Sequence, residues 1–304
     1  MSLVHIERSE IANGMLKSED ICRQLEQGKI IAFDHIPFDI PDEHIRFLLS
    51  ARQENTRLHK NISFRPEQKV VRGFSTKEDS EMMLEIMQNY SAMAVRFLSG
   101  FLAPYAAGWS LDYASFRPIE EAGRQLPLHK RNDLLHVDAF PSRPTHGGRI
   151  LRFFSNINPA ADRVWEIGEG FGDVAQQYAA GAGLDRIAKR SLSPFGKAVD
   201  GLGSAARAIG MPVPDRSAYD RFMLGFHDHL KESLEFRAEA KKTRIDYPPN
   251  STWMVFTDCV PHSVLSGQFA LEQTFIIPVA SLVAPEDSPL RILERLCGSK
   301  LVNN

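Results

Sequence analysis

Apolar positions along the chain recur with two periods, and the order in which those periods alternate sets the expected architecture. Ile21, Cys22 and Leu25 fall at helical spacing over residues 18–27, Gly28 closes that turn, and Lys29-Ile30-Ile31-Ala32-Phe33 reads as a strand. Pro41 suits the first position of the next helix. From Glu78 to Leu102 the residues Met82, Met83, Leu84, Met87, Tyr90, Met93, Phe97 and Phe101 return near helical spacing, which predicts a long packed helix and assigns its methionines and aromatics to the core. Strand-like runs follow at Trp109 to Arg117, Leu134 to Phe140, Arg149 to Ile157 and Val164 to Ile167, separated by Pro, Gly and Ser. Residues 173–242 revert to a helical period, with Tyr219, Phe222, Met223, Phe226, Leu230 and Leu234 along one face. After Pro248-Pro249, strand patterns resume at Thr252 to Thr257, Ser263 to Leu265 and Gln273 to Ala280.

Strands split by a helical block predict an α+β fold with a double-stranded β-helix (jelly-roll) core, N-terminal helices and a helical insertion. One domain over residues 1–304 is expected: an elaboration over 1–108, a core built from 109–168 and 248–284, and an insertion over 169–247. With 304 residues, 43% of them hydrophobic, the chain can bury one large core. A net charge of -2 gives no global basic field, which argues against nucleic acid as a partner. Cys22, Cys259 and Cys297 are widely separated and odd in number, so neither a disulfide framework nor a zinc ribbon is expected, and a reducing compartment fits. The N-terminus has no basic region followed by an apolar run, and stretches such as Phe275 to Val283 fall well short of the roughly 20 residues that cross a bilayer. A cytoplasmic chain is expected, with peripheral membrane contact left open.

The candidate chemistry is that of a metal. Open-site ferrous enzymes need two imidazoles and a carboxylate on one face of the ion, with the opposite positions free. Residues i and i+2 of an extended segment point the same way, so His136 and Asp138 in Leu134-Leu135-His136-Val137-Asp138-Ala139-Phe140 can reach one ion together. His262 follows the apolar run Trp253-Met254-Val255-Phe256 and precedes another strand, which makes it the candidate third ligand. Other histidines compete poorly. His227 and His229 lie in a helical pattern about 200° apart, cannot share a metal, and read as solvated helix positions. His5-x-Glu7 sits at a chain end expected to fray, while His59 and His146 are left as substrate contacts.

The stretch Leu135-His136-Val137-Asp138-Ala139-Phe140-Pro141-Ser142-Arg143-Pro144-Thr145, continued by Arg149 to Pro159, resembles the 3-deoxy-D-manno-octulosonic acid (Kdo) 3-hydroxylases. The likeness extends to Asp112-Tyr113-Ala114-Ser115-Phe116-Arg117-Pro118, to Val164-Trp165-Glu166-Ile167-Gly168 and to Pro261-His262-Ser263-Val264. The resemblance implies a jelly-roll dioxygenase that uses Fe(II), O2 and 2-oxoglutarate to hydroxylate carbon 3 of the Kdo sugar on a lipid A precursor, releasing succinate and carbon dioxide. Relatives of such enzymes hold the far carboxylate of 2-oxoglutarate with a buried cation, and a planar guanidinium suits both oxygens. The position many of them use, shortly after the distal histidine, is occupied here by Glu272, Gln273 and Thr274. A second arrangement places the cation on the strand after the Asp, which points to Arg152, with Thr274 as a hydroxyl partner and Arg149 in reserve.

An acidic, phosphorylated substrate calls for cations at the mouth, and Arg117, Lys130, Arg131 and Arg143 flank the motif strands. The segment from Arg186 to Arg207 mixes Arg186, Lys189, Arg190, Lys197 and Arg207 with Ile187, Leu192, Phe195, Val199 and Leu202, a pattern suited either to an anionic bilayer surface or to a solvated helical lid. Two alternatives stand beside the implied activity. One is an iron hydroxylase acting on a protein side chain or another small molecule, the other a non-catalytic jelly-roll carbohydrate-binding protein.

Overall fold

The computed structural model describes residues 2–14, 16–53, 61–74, 79–194 and 213–302, with scattered positions between 195 and 212. The strand-period segments pair into two sheets in a mixed α+β fold. The larger has eight strands: β1 (Leu3–Ile6), β2 (Ile30–Phe33), β3 (Ile62–Arg65), β4 (Val70–Arg72), β5 (Ser110–Arg117), β6 (Arg149–Asn156), β9 (Thr252–Phe256) and β11 (Ala270–Ile277). Their spatial order is β1-β2-β9-β6-β11-β5-β3-β4. A three-stranded sheet joins β7 (Arg163–Ile167), β8 (Thr243–Tyr247) and β10 (His262–Ser266) in the order β10-β7-β8.

Strand parity decides which face of the large sheet meets what. On β6, Phe153 and Ser155 point outward. Phe153 meets Phe97 of the long helix α4 (Ser80–Phe101) at 6.0 Å, and Ser155 meets that helix's Tyr90 hydroxyl at 3.3 Å. The apolar stripe read from the sequence therefore covers the outer face, alongside α1 (Arg8–Ala12), α2 (Ser18–Glu26), α3 (Asp42–Ser50) and α5 (Ala103–Ala106) in the N-terminal part of the chain. Arg152 and Phe154 point the other way. Phe154 meets Trp165 of β7 edge-on at 5.1 Å, and Trp165 also abuts Trp253 of β9 at 5.6 Å, so the small sheet packs on the inner face.

Between β7 and β8 lie α6 (Phe171–Tyr178), α7 (Leu184–Leu192), α8 (Ala218–Glu232) and α9 (Leu234–Glu239), and α10 (Pro289–Cys297) closes the fold. Helix α8 starts at a reciprocal cap between Ser217 and Asp220, and it buries Tyr219, Phe222, Met223, Phe226 and Leu230 of the predicted face, whereas Leu234 opens α9 and is exposed because α8 ends at Glu232. The Asp220 carboxylate also accepts the backbone N–H groups of Thr145 and His146 at 2.8 and 3.1 Å, pinning α8 to the loop that follows the motif.

The backbone departs from the sequence expectation at several places. Residues 134–140 form no strand, only a bridge from His136 to His262. The segment leaves β10 after that bridge, and the Asp138 N–H goes instead to Thr257 O at 2.8 Å, beyond the end of β9. It is extended but crosses between the sheets, so no ladder accumulates. The second departure is β8, which lies within the stretch read as helical insertion; its buried Ile245 and Tyr247 alternate with exposed Arg244 and Asp246 over too few residues to outweigh the surrounding helical period. Lastly, the N-terminus does not fray, because β1 pairs in parallel with β2 and sets His5 opposite Ala32.

Candidate metal centre

Three side chains converge where the crossing segment meets β10. His136 and Asp138 project to one side of the extended backbone, with His136 Nε2 at 3.8 Å from Asp138 Oδ1. His262 opens β10, and its Nε2 lies 3.9 Å from Asp138 Oδ2. One ligand atom from each residue falls within 4.8 Å of the others. The backbone fixes this convergence: His136 N–H donates to His262 O at 3.1 Å, and His262 N–H donates to His136 O at 2.9 Å. Gly168, just after β7, donates its N–H to Pro261 O at 2.7 Å, and a Cβ there would stand 2.9 Å from the Leu135 side chain and 3.1 Å from Pro261 Cβ. A side chain at this position would press on Leu135 and Pro261, so glycine lets the two ligand-bearing segments close against β7 without displacing them.

Each imidazole is oriented by its own backbone. His136 Nδ1 lies 2.6 Å from Leu134 O and His262 Nδ1 lies 2.8 Å from Val260 O, so in both rings Nδ1–H donates to a carbonyl and the Nε2 lone pair faces the shared centre. Trp165 stacks on His262 with ring centres 5.1 Å apart and planes inclined by 20°. Burial depresses the pKa of both histidines; at His136 the neighbouring His262 adds to the effect, while at His262 the Asp138 carboxylate opposes it. Neutral imidazoles are the ligand form. Burial pushes the Asp138 carboxyl upward, but Arg152 and the two histidines outweigh it and hold that carboxyl far below the usual range. Asp138 Oδ2 is buried and accepts no hydrogen bond. An ionised carboxylate with one oxygen toward each of two lone-pair nitrogens, and only an ion pair with Arg152 on its inner oxygen, has the donor chemistry that a divalent cation satisfies.

Behind the triad the inner face of the large sheet carries a line of buried charge. Arg152 places Nε 3.1 Å from Asp138 Oδ2 and Nη1 3.1 Å from Glu272 Oε1. Arg117 closes the other side of Glu272 through Nε, at 3.1 Å, and Nη2. Thr274, opposite Arg152 in the β6–β11 ladder, donates its hydroxyl to Glu272 Oε1 at 2.8 Å. The two guanidiniums hold the Glu272 carboxyl below its ordinary value against the upward push of burial.

The remaining predicted residues are scattered. Arg149 is fully buried with the opposite strand parity from Arg152; its Nε meets Asp258 Oδ2 at 2.8 Å and its guanidinium covers Phe256 at 4.1 Å, so it serves the core and not the centre. Arg117, expected at a mouth, is instead buried against Glu272. Lys130 is exposed on a 3-10 turn, and Arg131 spends its charge on Asp133. Arg143 does stand beside the centre, 3.0 Å from Asp112 and over the rings of Tyr113 (3.9 Å) and Phe140 (4.4 Å). His146 approaches Asp220, at 3.7 Å. His59, Phe195, Lys197, Val199 and Arg207 lie outside the described residues.

Sequence reasoning missed Glu272 as the partner of Arg152, and it misjudged His227. That ring is half-buried, meets His136 edge-on at 4.8 Å and bonds Val137 O through Nδ1 at 2.7 Å. One turn on, Lys231 is buried, donates to His129 O at 3.0 Å, and has its pKa pushed down to about 8 by desolvation. The i, i+4 spacing of these two polar residues, beside core positions Phe226 and Leu230, was a readable sign of a polar strip on the packed face of α8.

Comparison with known proteins bears on this centre directly. The crystal structure of the Kdo hydroxylase KdoO, a non-heme Fe(II) alphaketoglutarate-dependent dioxygenase in complex with alphaketoglutarate and Fe(III), superposes with a TM-score of 0.80 at 32% identity, covering 99% of this chain and 98% of that one. Its apo structure gives 0.81 at 33% identity with the same coverage, and its cobalt(II) complex gives 0.80 at 32%. No curated protein matches the chain. The sequence profile of the 3-deoxy-D-manno-oct-2-ulosonic acid (Kdo) hydroxylase family matches residues 10–300. By both measures, the chain belongs to the Kdo hydroxylase family.

Proposed function

We propose that the protein hydroxylates carbon 3 of the Kdo sugar of a Kdo-lipid A precursor, using Fe(II), 2-oxoglutarate and O2 on a double-stranded β-helix scaffold formed by the two sheets. The observation that carries this reading is the convergence of two backbone-oriented imidazoles with an ionised carboxylate whose inner oxygen accepts no hydrogen bond. His136, Asp138 and His262 would hold the ion. When bound, iron supplies the oxidising chemistry through decarboxylation of 2-oxoglutarate.

The chain's own residues do the positioning. Arg152, 3.1 Å from both Asp138 Oδ2 and Glu272 Oε1, would offer its guanidinium to the far carboxylate of 2-oxoglutarate, with Arg117 and Thr274 quenching the charge of Glu272 that would repel it. Trp165 and the apolar seam between the sheets exclude water from the imidazoles.

No helix of the described residues is long and apolar enough to cross a membrane. We assign the protein to the cytoplasmic side of the inner membrane, in peripheral contact, a placement supported by exposed Arg186, Lys189 and Arg190 on the helix that ends in exposed Leu192. Mass spectrometry of a Kdo-lipid A precursor incubated with protein, ferrous iron and 2-oxoglutarate tests the activity. A gain of one oxygen on the sugar, matched by succinate, is expected; succinate without sugar oxidation would favour a hydroxylase of another substrate, and neither product would favour a binding protein.

A further inference from the structure

A cleft of about 500 Å³ opens on the inner side of β3 and β5, with Arg65, Tyr113, Arg143 and Thr145 in its wall. That volume suits a sugar-sized ligand. A small cavity lined by Asp138 shares Arg143 and Thr145 with it, so the cleft lies on the Asp138 side of the triad. The register explains its cations. Ser63 pairs with Ser115 across β3 and β5, so Arg65, two residues on, and Tyr113, two residues back, share the inner face. Arg65 sets its guanidinium carbon 5.1 Å from the Tyr113 ring centre, and Arg143 sets its own 3.9 Å from the same ring.

The two arginines are not equivalent. Arg143 is already neutralised by Asp112 at 3.0 Å. Arg65 makes no ion pair among the described residues, and its Nε is buried without a hydrogen-bond partner. A half-buried guanidinium laid over an aromatic ring, with a donor unused and a sugar-sized space in front of it, is arranged for an oxyanion that the protein does not itself supply.

We propose that Arg65, braced on Tyr113 and flanked by Arg143, is the specificity-determining contact for an oxyanion of the substrate, a sugar carboxylate or a phosphate. The inference rests on the function proposed above, whose substrate carries both groups. Arg65 contacts Tyr113 and none of the three metal-site residues, so it acts on binding of the sugar and leaves the ion and 2-oxoglutarate untouched.

The test is binding and turnover by the full-length metal-loaded protein and its Arg65→Gln variant. With the Kdo-lipid A precursor, Arg65→Gln should raise KM about tenfold or more, the loss of one charge-assisted contact, while kcat and the KM for 2-oxoglutarate stay within about twofold. Tyr113→Leu should reproduce part of the loss, and Tyr113→Phe, which keeps the ring, should not. The source of the oxyanion is read by calorimetry with Kdo methyl glycoside, its carboxamide and inorganic phosphate. A carboxylate partner makes the carboxamide weaker than the acid on the wild type but equal to it on Arg65→Gln. A phosphate partner instead gives phosphate binding that Arg65→Gln abolishes. An unchanged KM in Arg65→Gln, or no difference between wild type and variant toward any of the three probes, would overturn the proposal. Wild type that bound the probes through Arg65 yet left the sugar unoxidised would refute the activity while sparing the subsite.

Discussion

Replacing Arg152 by Met removes the one cation shared by Asp138 and Glu272. Side-chain exposures of 14% for Arg152 and 12% for Asp138 put this pair in the buried class, where loss of one partner costs about 3–5 kcal/mol. For 304 residues, an unfolding entropy of about 2.1 cal/mol/K per residue amounts to about 0.64 kcal/mol/K, so the metal-free variant should melt about 5–8 °C below the wild type. The difference should narrow on adding metal. In the wild type Arg152 already offsets the Asp138 charge, whereas in the variant an incoming ion relieves an uncompensated one, so saturating Mn(II) should raise the melting temperature more in the variant. Differential scanning calorimetry with and without Mn(II), joined to calorimetric titration of 2-oxoglutarate, reads all three quantities. Affinity for 2-oxoglutarate should fall by about tenfold or more. Equal metal-induced increments in the two proteins would refute the offset of Asp138 by Arg152, and unchanged 2-oxoglutarate affinity would remove Arg152 from the co-substrate site.

Arg149→Met supplies the contrast: it breaks the buried pair with Asp258, so melting should fall by a similar amount while the KM for 2-oxoglutarate stays unchanged in steady-state assays. Lys231 has a folded pKa of about 8 against 10.5 for the free group, so between those values the unfolded chain binds more protons and stability must rise with pH. Denaturant titrations from pH 7 to 10.5 should show the wild type gaining about 3 kcal/mol relative to Lys231→Met, and parallel pH profiles would contradict that origin. Deleting the exposed charge of α7 with Arg186→Gln, Lys189→Gln and Arg190→Gln together should reduce flotation with anionic liposomes and leave melting within about 1 °C; equal flotation would end the membrane assignment.

Much of this architecture was legible because period and parity are local. The α4 stripe, the α8 face and the strands at residues 110–117 and 149–156 follow from side-chain spacing alone, while the last strand, read as Gln273 to Ala280, runs three residues earlier over Ala270–Ile277. So does the pairing of His136 with Asp138, since i and i+2 share a side whether or not the segment joins a ladder. What sequence could not supply is register between distant strands. Thr274 faces Arg152 because β6 and β11 pair in one frame, and Glu272 reaches the same guanidinium from two residues away. Read singly, Glu272 marked only a missing arginine; in place, it engages two. Of the charges assigned to the mouth, Arg143 lines the cleft, whereas Arg117 and Lys130 do not, because flanking a motif in sequence does not distinguish Arg117, pointing into the sheet interface, from Lys130 on an exposed turn. Arg65 stayed invisible because β3 reaches the cleft only through its pairing with β5.

The central claim is that His136, Asp138 and His262 bind one ferrous ion and leave adjacent positions for a 2-oxo acid. Anaerobic addition of Fe(II) and then 2-oxoglutarate, followed by visible absorption, tests it most directly. One equivalent of iron should give the charge-transfer band of an iron(II)–2-oxo acid chelate, which should be absent in His262→Ala and in Asp138→Ala. A wild-type protein that gave no band, or variants that kept it, would contradict the assignment.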